Sequence, residues 1–221
     1  MTGGVFVAGT GTDVGKTYVA ALLVRYYREK GVNAGYFKAA LSGAERLPDG
    51  SLLPGDAETV CRIGGLSDAP EALVPYIFEE AVSPHLAARR KGTPIRREVI
   101  AEAFARTAQR YEWLVAEGRG GLACPLCDDP AAPLMLTDIV SLLGFPLILV
   151  SDAGLGTLNH TVLTAAYAAA RGLPVRGVIL NRYDGDSFLH RDNRAMIPRL
   201  TGLPVLSCIR EGQTSLTLAD E

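Results

Sequence analysis

The chain has 221 residues, 48% of them hydrophobic, and carries 22 Lys plus Arg against 24 Asp plus Glu for a formal net charge of −2. That length and apolar content suit one α/β domain spanning 1–221 with a sizeable core. The near-neutral balance speaks against a nucleic-acid partner, and no apolar run approaches the roughly 18 residues that a membrane span needs.

Strands and helices alternate along the chain. Residues 4–9 read as a first strand, so close to the N-terminus that no signal peptide is expected and the cytoplasm is the expected location. Gly9–Thr17, GTGTDVGKT, follows as a Gly-rich turn. Residues 16–30 then place Ala20, Leu23, Val24 and Tyr27 at helical spacing and stop at Gly31. Asn33–Lys38 reads as a second strand ending in lysine, and 42–55 as a loop rich in Gly, Pro, Asp and Ser. A helix runs from Asp56 to about Ile63 and ends at Gly64-Gly65. Ser83-Pro84 fits an N-cap followed by proline at the first position of a helix through Arg90, and Ile95–Gln109 is a further amphipathic helix. Trp113–Glu117 reads as a strand ending in a carboxylate, 118–136 as a loop and 137–143 as a helix. The remaining elements are the apolar strand Pro146–Ser151, the Ala-rich helix Gly156–Arg171, the strand Val175–Leu180 ending in Asn181, the helix Ser187–Leu200 and the strand Pro204–Ser207. This alternation predicts a mostly parallel sheet with helices on both faces.

Strand, Gly-rich turn, Lys-Thr and helix together form a phosphate-binding P-loop. Gly9, Gly11 and Gly15 let backbone N–H groups turn inward around a polyphosphate, Lys16 can reach its terminal oxygens, and Thr17 offers a hydroxyl to Mg²⁺. The helix N-terminus adds its partial positive charge. The loop is one residue longer than the usual G-x-x-x-x-G-K-[ST], which would place glycine at Thr10. Asp13 is a carboxylate beside the phosphates, repelled unless it faces a cation or another ligand.

In parallel α/β sheets ligands bind beyond the carboxyl ends of the strands. There this chain places Lys38, Glu117, Ser151-Asp152 and Asn181. Glu117 suits a Mg²⁺-holding carboxylate; the alternative is a solvent-facing turn. Lys38 suits a substrate anion or a transferring phosphoryl group; the alternative is a surface lysine. Asp56 suits either a helix N-cap or a second Mg²⁺ carboxylate. Cys124-Pro-Leu-Cys127 is a lone C-x-x-C without the second pair a zinc site wants, so Cys61, Cys124, Cys127 and Cys208 read as free thiols.

GTGTDVGKT, KAALS (Lys38–Ser42), GDAETV around Asp56, SPH (Ser83–His85), EGRGG (Glu117–Gly121), GLGTLNH (Gly154–His160) and Asn181 follow one another over nearly the whole chain. In order and spacing they resemble dethiobiotin synthetase, whose long P-loop matches the extra residue. The resemblance implies a P-loop NTPase-like fold and a biotin-biosynthetic ligase. It uses ATP, Mg²⁺ and CO₂ or bicarbonate to close a ureido ring on 7,8-diaminononanoate. It also implies a homodimer with active sites at the subunit interface.

Carried over to this chain, the resemblance implies ATP held by Gly11, Thr12, Asp13, Val14, Gly15, Lys16, Thr17 and Tyr18, with Asn181 reading the adenine edge. Mg²⁺ falls to Thr17, Asp56 and Glu117. Lys38 and Lys16 neutralise the carbamate and phosphoryl oxygens, and Ser42 and Thr12 hydrogen-bond the carbamate or a diamine nitrogen. Gly120 lines the substrate. Thr157, Leu158 and Asn159, whose N–H groups open a helix, take the substrate's tail carboxylate from the neighbouring subunit. His85 reads as a packed helix-cap residue.

Three positions depart from the family's habit: Asp13 where Glu is usual, Ala39 where Pro is frequent, and Arg119 where a small residue is common. A ParA/MinD-like switch would carry an extra lysine early in the loop, and Gly9–Val14 has none. An amide-forming relative would carry a glutaminase domain, for which these residues leave no room. A binding-only relative is disfavoured by intact Lys16, Thr17, Lys38 and Glu117.

Overall fold

Alternation of side chains along the first strand sets the architecture. In the computed structural model, which describes residues 2–219, β1 (Gly3–Gly9) sends Val5 and Val7 to one face and Phe6 and Ala8 to the other, all four buried. A strand buried on both faces needs helices on both.

The chain continues through α1 (Lys16–Glu29), β2 (Ala34–Lys38), the short strands β3 (Leu41–Ser42), β4 (Glu45–Arg46) and β5 (Leu52–Leu53), and α2 (Gly55–Gly64). A 3-10 turn at Pro70–Leu73 leads to β6 (Ile77–Phe78), α3 (Pro84–Lys91), α4 (Arg97–Ala108), β7 (Trp113–Gly121), β8 (Pro125–Cys127) and β9 (Leu134–Met135). Then come α5 (Leu136–Leu143), β10 (Leu147–Asp152), α6 (Thr157–Ala170), β11 (Val175–Asn181), α7 (Phe188–Thr201) and β12 (Val205–Cys208).

Six strands form one sheet in the order β12-β11-β10-β1-β7-β2, with every pairing parallel. The core on the Val5 and Val7 side is filled by α1 and α2 through Val19, Leu23, Ala57 and Val60. The core on the Phe6 side is filled from α3 to α7 through Ala87, Ile100, Ile139, Ala168 and Ile197. The expected α/β fold with a parallel sheet covered on both faces is therefore the observed one. Among the described residues no helix is long and apolar enough to cross a membrane. The four cysteines are free thiols.

Three local expectations change. The strand expected to close at Glu117 continues to Gly121, because β1 extends beside it and Gly9 pairs with Gly121. The expected loops 42–55 and 118–136 contain the small hairpins β4–β5 and β8–β9. Asp56 is not an N-cap: Pro54 holds that position, and Asp56 lies in the first turn of α2. The expected stop of that helix is correct, since Gly65 adopts a left-handed φ of 72° that glycine takes at little cost.

One buried polar cluster ties the sheet to two site-bearing segments. Ser151 Oγ at the end of β10 lies 3.0 Å from Thr10 Oγ1, 2.6 Å from Thr157 Oγ1 and 3.1 Å from Thr161 Oγ1. Ser151, Thr157 and Thr161 are buried. Removing the central hydroxyl leaves its partners short of hydrogen bonds in a dry environment, a loss of about 1–3 kcal/mol. Ser151→Ala is accordingly expected to lower the urea midpoint and to weaken ATP binding through Thr10. An unchanged midpoint would show that water satisfies the threonines instead.

Candidate functional site

The P-loop is shaped by its own glycines and gripped from β11. A side chain at Gly9 would meet Gly11 O at 2.7 Å and Lys16 Cδ at 2.8 Å, so only glycine lets Lys16 fold back over the loop. Lys16 Nζ donates to Gly11 O at 2.9 Å. Asp13 and Gly15 adopt φ values of 58° and 88°, which turn the loop into the start of α1. Asn181 Nδ2 at the end of β11 donates to Val14 O at 3.0 Å. Arg182, with φ 53°, donates through Nη2 to Asp13 O at 2.8 Å and through Nη1 to Asp152 Oδ2 at 2.8 Å.

Parallel register creates the second half of the site. Lys38 pairs with Glu117 across β2 and β7, and both point to the face covered by α1 and α2, as Tyr36 and Val115 do two residues earlier. Lys38 Nζ donates to Glu117 Oε1 at 2.7 Å and contacts Asp56 Oδ2 at 2.8 Å. Glu117 also accepts from Thr17 Oγ1 at 2.9 Å and from Tyr36 OH at 2.7 Å. Side chains from β2 and α1 thus converge on one β7 carboxylate that is 2% exposed, and α2 joins through Asp56 on Lys38.

The electrostatics follow from that convergence. Burial works to lower the Lys38 pKa, but Glu117 and Asp56 outweigh it and leave it above the ordinary lysine value. Burial works to raise the Asp56 pKa, and Lys38 outweighs it and holds the carboxyl below the ordinary range. Lys16 is lowered, chiefly by burial. Tyr36 is pushed well up by burial and by the charge of Glu117. Lys38 is therefore an ammonium at neutral pH in direct contact with two carboxylates, with Lys16 and Arg119 within electrostatic reach of Asp56.

A cleft of about 530 Å³ opens over these groups, bordered among others by Thr12, Lys16, Thr17, Lys38, Asp56 and Glu117. Asp13, Gly15, Tyr18, Gly120 and Arg182 also reach it. Thr17, Asp56 and Glu117 offer only hard oxygen donors. Mg²⁺ sites commonly use one or two carboxylates and complete their shell with phosphate oxygens and water. Among the described residues no group of three His, Cys, Asp or Glu side chains gathers at one point. The donor set suits Mg²⁺ shared with a polyphosphate rather than an all-protein cage.

Other residues singled out from the sequence lie elsewhere. Ser42 is buried and its hydroxyl donates to Val82 O at 2.5 Å, away from the cleft. Thr157 turns its hydroxyl into the Ser151 cluster, and Asn159 is exposed at the start of α6. The amides of Thr157 and His160 reach Gly154 O and Gly156 O, leaving Leu158 and Asn159 as the first-turn amides without a backbone acceptor among the described residues. Tyr36 and Arg182 escaped sequence reasoning. Tyr36 was findable, since it lies two residues before Lys38 and so on the same face. Arg182 directly follows Asn181 but carried no motif of its own.

Comparison with known proteins agrees with this geometry. A family model described as an AAA domain matches residues 3–215. The ATP-dependent dethiobiotin synthetase BioD of Clostridium novyi (strain NT) is 44% identical over 209 residues, covering 95% of this chain and 87% of the relative. The protein of the same name from Clostridium perfringens (strain ATCC 13124) is 43% identical, covering 95% and 91%. That from Clostridium botulinum (strain Loch Maree) is 41% identical, covering 96% and 92%. Among solved structures, a ParA family ATPase from Chlorobium tepidum TLS superposes with a TM-score of 0.57 at 15% identity, covering 95% of this chain and 85% of that one, a likeness of fold alone. At 41–44% identity over nearly the whole chain, with most of each relative's length covered, the chain belongs to the ATP-dependent dethiobiotin synthetase family.

Proposed function

We propose that the chain, acting as one P-loop α/β domain, closes the ureido ring of dethiobiotin on 7,8-diaminononanoate at the expense of ATP. The observation that carries this assignment is Lys38, a buried ammonium held between Glu117 and Asp56 beside the P-loop cleft.

One amine of the diamine attacks CO₂, forming an N–C bond and releasing a proton to solvent. The carbamate oxygen then attacks the γ-phosphorus, and the bond to the bridging oxygen of ADP breaks. The second amine attacks the carbonyl of the resulting anhydride, the ring closes, and phosphate leaves with the C–O electron pair. None of these steps needs an enzyme nucleophile, so catalysis is positioning and charge neutralisation.

The P-loop amides and Lys16 hold the phosphates. Lys38 faces the carbamate and the transferring phosphoryl group, with Thr12 beside it as a hydrogen-bond partner. Thr17, Asp56 and Glu117 would hold Mg²⁺, which neutralises phosphate charge when bound. Asn181, already engaged with the loop carbonyl of Val14, has its remaining amide functions for the adenine. Ser42 serves the substrate only if its hydroxyl leaves Val82.

The Leu158 and Asn159 amides are suited to the tail carboxylate. Leu155 and Phe188, 91% and 80% exposed, lie beside that helix start and at the start of α7. We assign this apolar face to a second copy of the chain, which brings α6 to the neighbouring cleft. The cytoplasm, where such biosynthetic chemistry has its substrates, is the proposed location.

The direct test supplies ATP, Mg²⁺, bicarbonate and 7,8-diaminononanoate and seeks dethiobiotin by mass. No product under turnover conditions would overturn the assignment.

Lys38→Gln is expected to cut turnover by the equivalent of about 2.7–4 kcal/mol while ATP binding persists. It also strands two carboxylates, at a stability cost on the order of 3–5 kcal/mol. In the wild type Asp56 has a lowered pKa, so its pairing stabilises the fold above the carboxylate range and is lost as pH falls. The stability gap between variant and wild type is therefore expected to be full at about pH 7 and to narrow only below about pH 4, under the ordinary aspartate value. A pH-independent gap would mean the carboxylates do not depend on Lys38.

Glu117→Gln and Asp56→Asn are each expected to raise the Mg²⁺ concentration for half-maximal rate. If Asp56→Asn changes only the melting temperature, Asp56 serves Lys38 alone. For the shared site, a Lys16→Ala subunit mixed with an Asn159→Ala subunit is expected to recover activity above either homodimer. Activity no better than the parental mean, with subunit exchange verified by mass, would return Asn159 to a structural role.

A further inference from the structure

Arg119 is the cation of this site held by no direct contact: it feels the charge of Asp56 without an ion pair or hydrogen bond among the described residues. Lys38 is paired with Glu117 and Asp56, Arg182 is paired with Asp152, and Lys16 is folded onto Gly11 O. Arg119 borders the same cleft and has no ion-pair or hydrogen-bond partner among the described residues. It sits on the glycine-rich extension of β7, where Gly118 and Gly120 flank it and Gly120 takes a φ of 63°.

The guanidinium extends toward Gly43: its Nη2 lies 3.9 Å from where a Cβ on Gly43 would stand, beside Ala81. Gly43 follows Ser42, so Arg119 borders the cleft near the segment after Lys38, within electrostatic reach of Asp56 and Lys16. A fixed, half-buried cation favours an anion there and repels a cation. The nucleotide phosphates already have the loop amides and Lys16. The remaining reactant is a diamine whose tail carboxylate is assigned above to the start of α6, and whose amine end is neutral or positive until it takes up CO₂.

We propose that Arg119 is a specificity-determining residue that makes this site bind the diamine as its carbamate anion. The inference rests on the dethiobiotin-forming reading above. An amine lone pair forms the N–C bond to CO₂, the displaced π pair settles on oxygen, and the N–H proton leaves to solvent. The guanidinium stabilises the carboxylate so formed and disfavours the protonated diamine that competes with it.

The test is calorimetric titration of 7,8-diaminononanoate into the nucleotide-free protein at fixed pH and ionic strength, in CO₂-free buffer and in buffer equilibrated with CO₂ and bicarbonate. The wild type is expected to bind about tenfold or more tightly with CO₂, and Arg119→Ala to show a ratio at least about fivefold smaller, as for loss of a charge-assisted hydrogen bond, with Lys38 supplying what remains. Arg119→Lys is expected to fall between them. With ¹³C-labelled bicarbonate, the carbamate carbon signal is expected with wild type and weaker, at equal diamine, with the alanine variant. ATP affinity and circular dichroism report that each variant is folded.

An alanine variant that keeps the wild-type ratio overturns the proposal, as does a wild type with no CO₂ effect. Loss of ATP affinity with an unchanged ratio overturns it too and reassigns Arg119 to the phosphates. If dethiobiotin forms and the ratio is insensitive to Arg119, only this inference fails; if no dethiobiotin forms, the functional assignment fails.

Discussion

A buried ammonium between two carboxylates is the constraint on which the site depends. Lys38 is 1% exposed and Glu117 2%, and neither charge could be carried there alone. Each makes the other tolerable, and Tyr36 and Thr17 satisfy the remaining lone pairs of Glu117. A pair of this kind adds little net stability over a well-packed apolar one, yet removing one member is costly. Its value lies in what it specifies. The β2–β7 register, the approach of α1 through Thr17 and the approach of α2 through Asp56 must all be correct for the charges to close. Folding and assembly of the chemical groups are therefore one event.

Lys38 meets both carboxylates at the edge of a loop built to collect phosphate oxygens, with Lys16 and Arg119 also in electrostatic reach. The carboxylate–hydroxyl donor set is of the right hardness for a divalent cation between protein and polyphosphate. Lys38 is held charged between fixed partners, as the proposed electrostatic role would require.

The phosphate loop is held by distant parts of the chain rather than by itself. Asn181 and Arg182, directly after β11, hold the Val14 and Asp13 carbonyls, and the Ser151 hydroxyl anchors Thr10. Asp13 and Arg182 both occupy the left-handed region, which costs on the order of 1–3 kcal/mol per residue and persists only where surroundings enforce it. Ser151 bonds Thr157 as well, so the loop and the start of α6 share one buried hydroxyl.

Much of this was legible in the sequence because it is local. Apolar runs, helical spacing at Ala20, Leu23, Val24 and Tyr27, and Gly and Pro punctuation place most of the principal elements within a few residues, since backbone sterics act between near neighbours. Gly9–Thr17 shows a phosphate loop for the same reason: its glycines, lysine and threonine act within one turn. The sequence by itself thus determined the fold class, the nucleotide loop and the list of polar strand ends. Only the tertiary structure decided how those groups are used. It turned Ser42 to Val82, set Asp56 inside the first turn of α2 as a partner of Lys38, carried β7 on to Gly121 and left Arg119 without an ion pair or hydrogen bond among the described residues. These are contacts between segments far apart in the chain: Lys38 and Glu117 are separated by 79 positions, Asn181 and Val14 by 167. Which side chains meet across such distances depends on sheet register and helix placement, and these are set by the packing of the whole core.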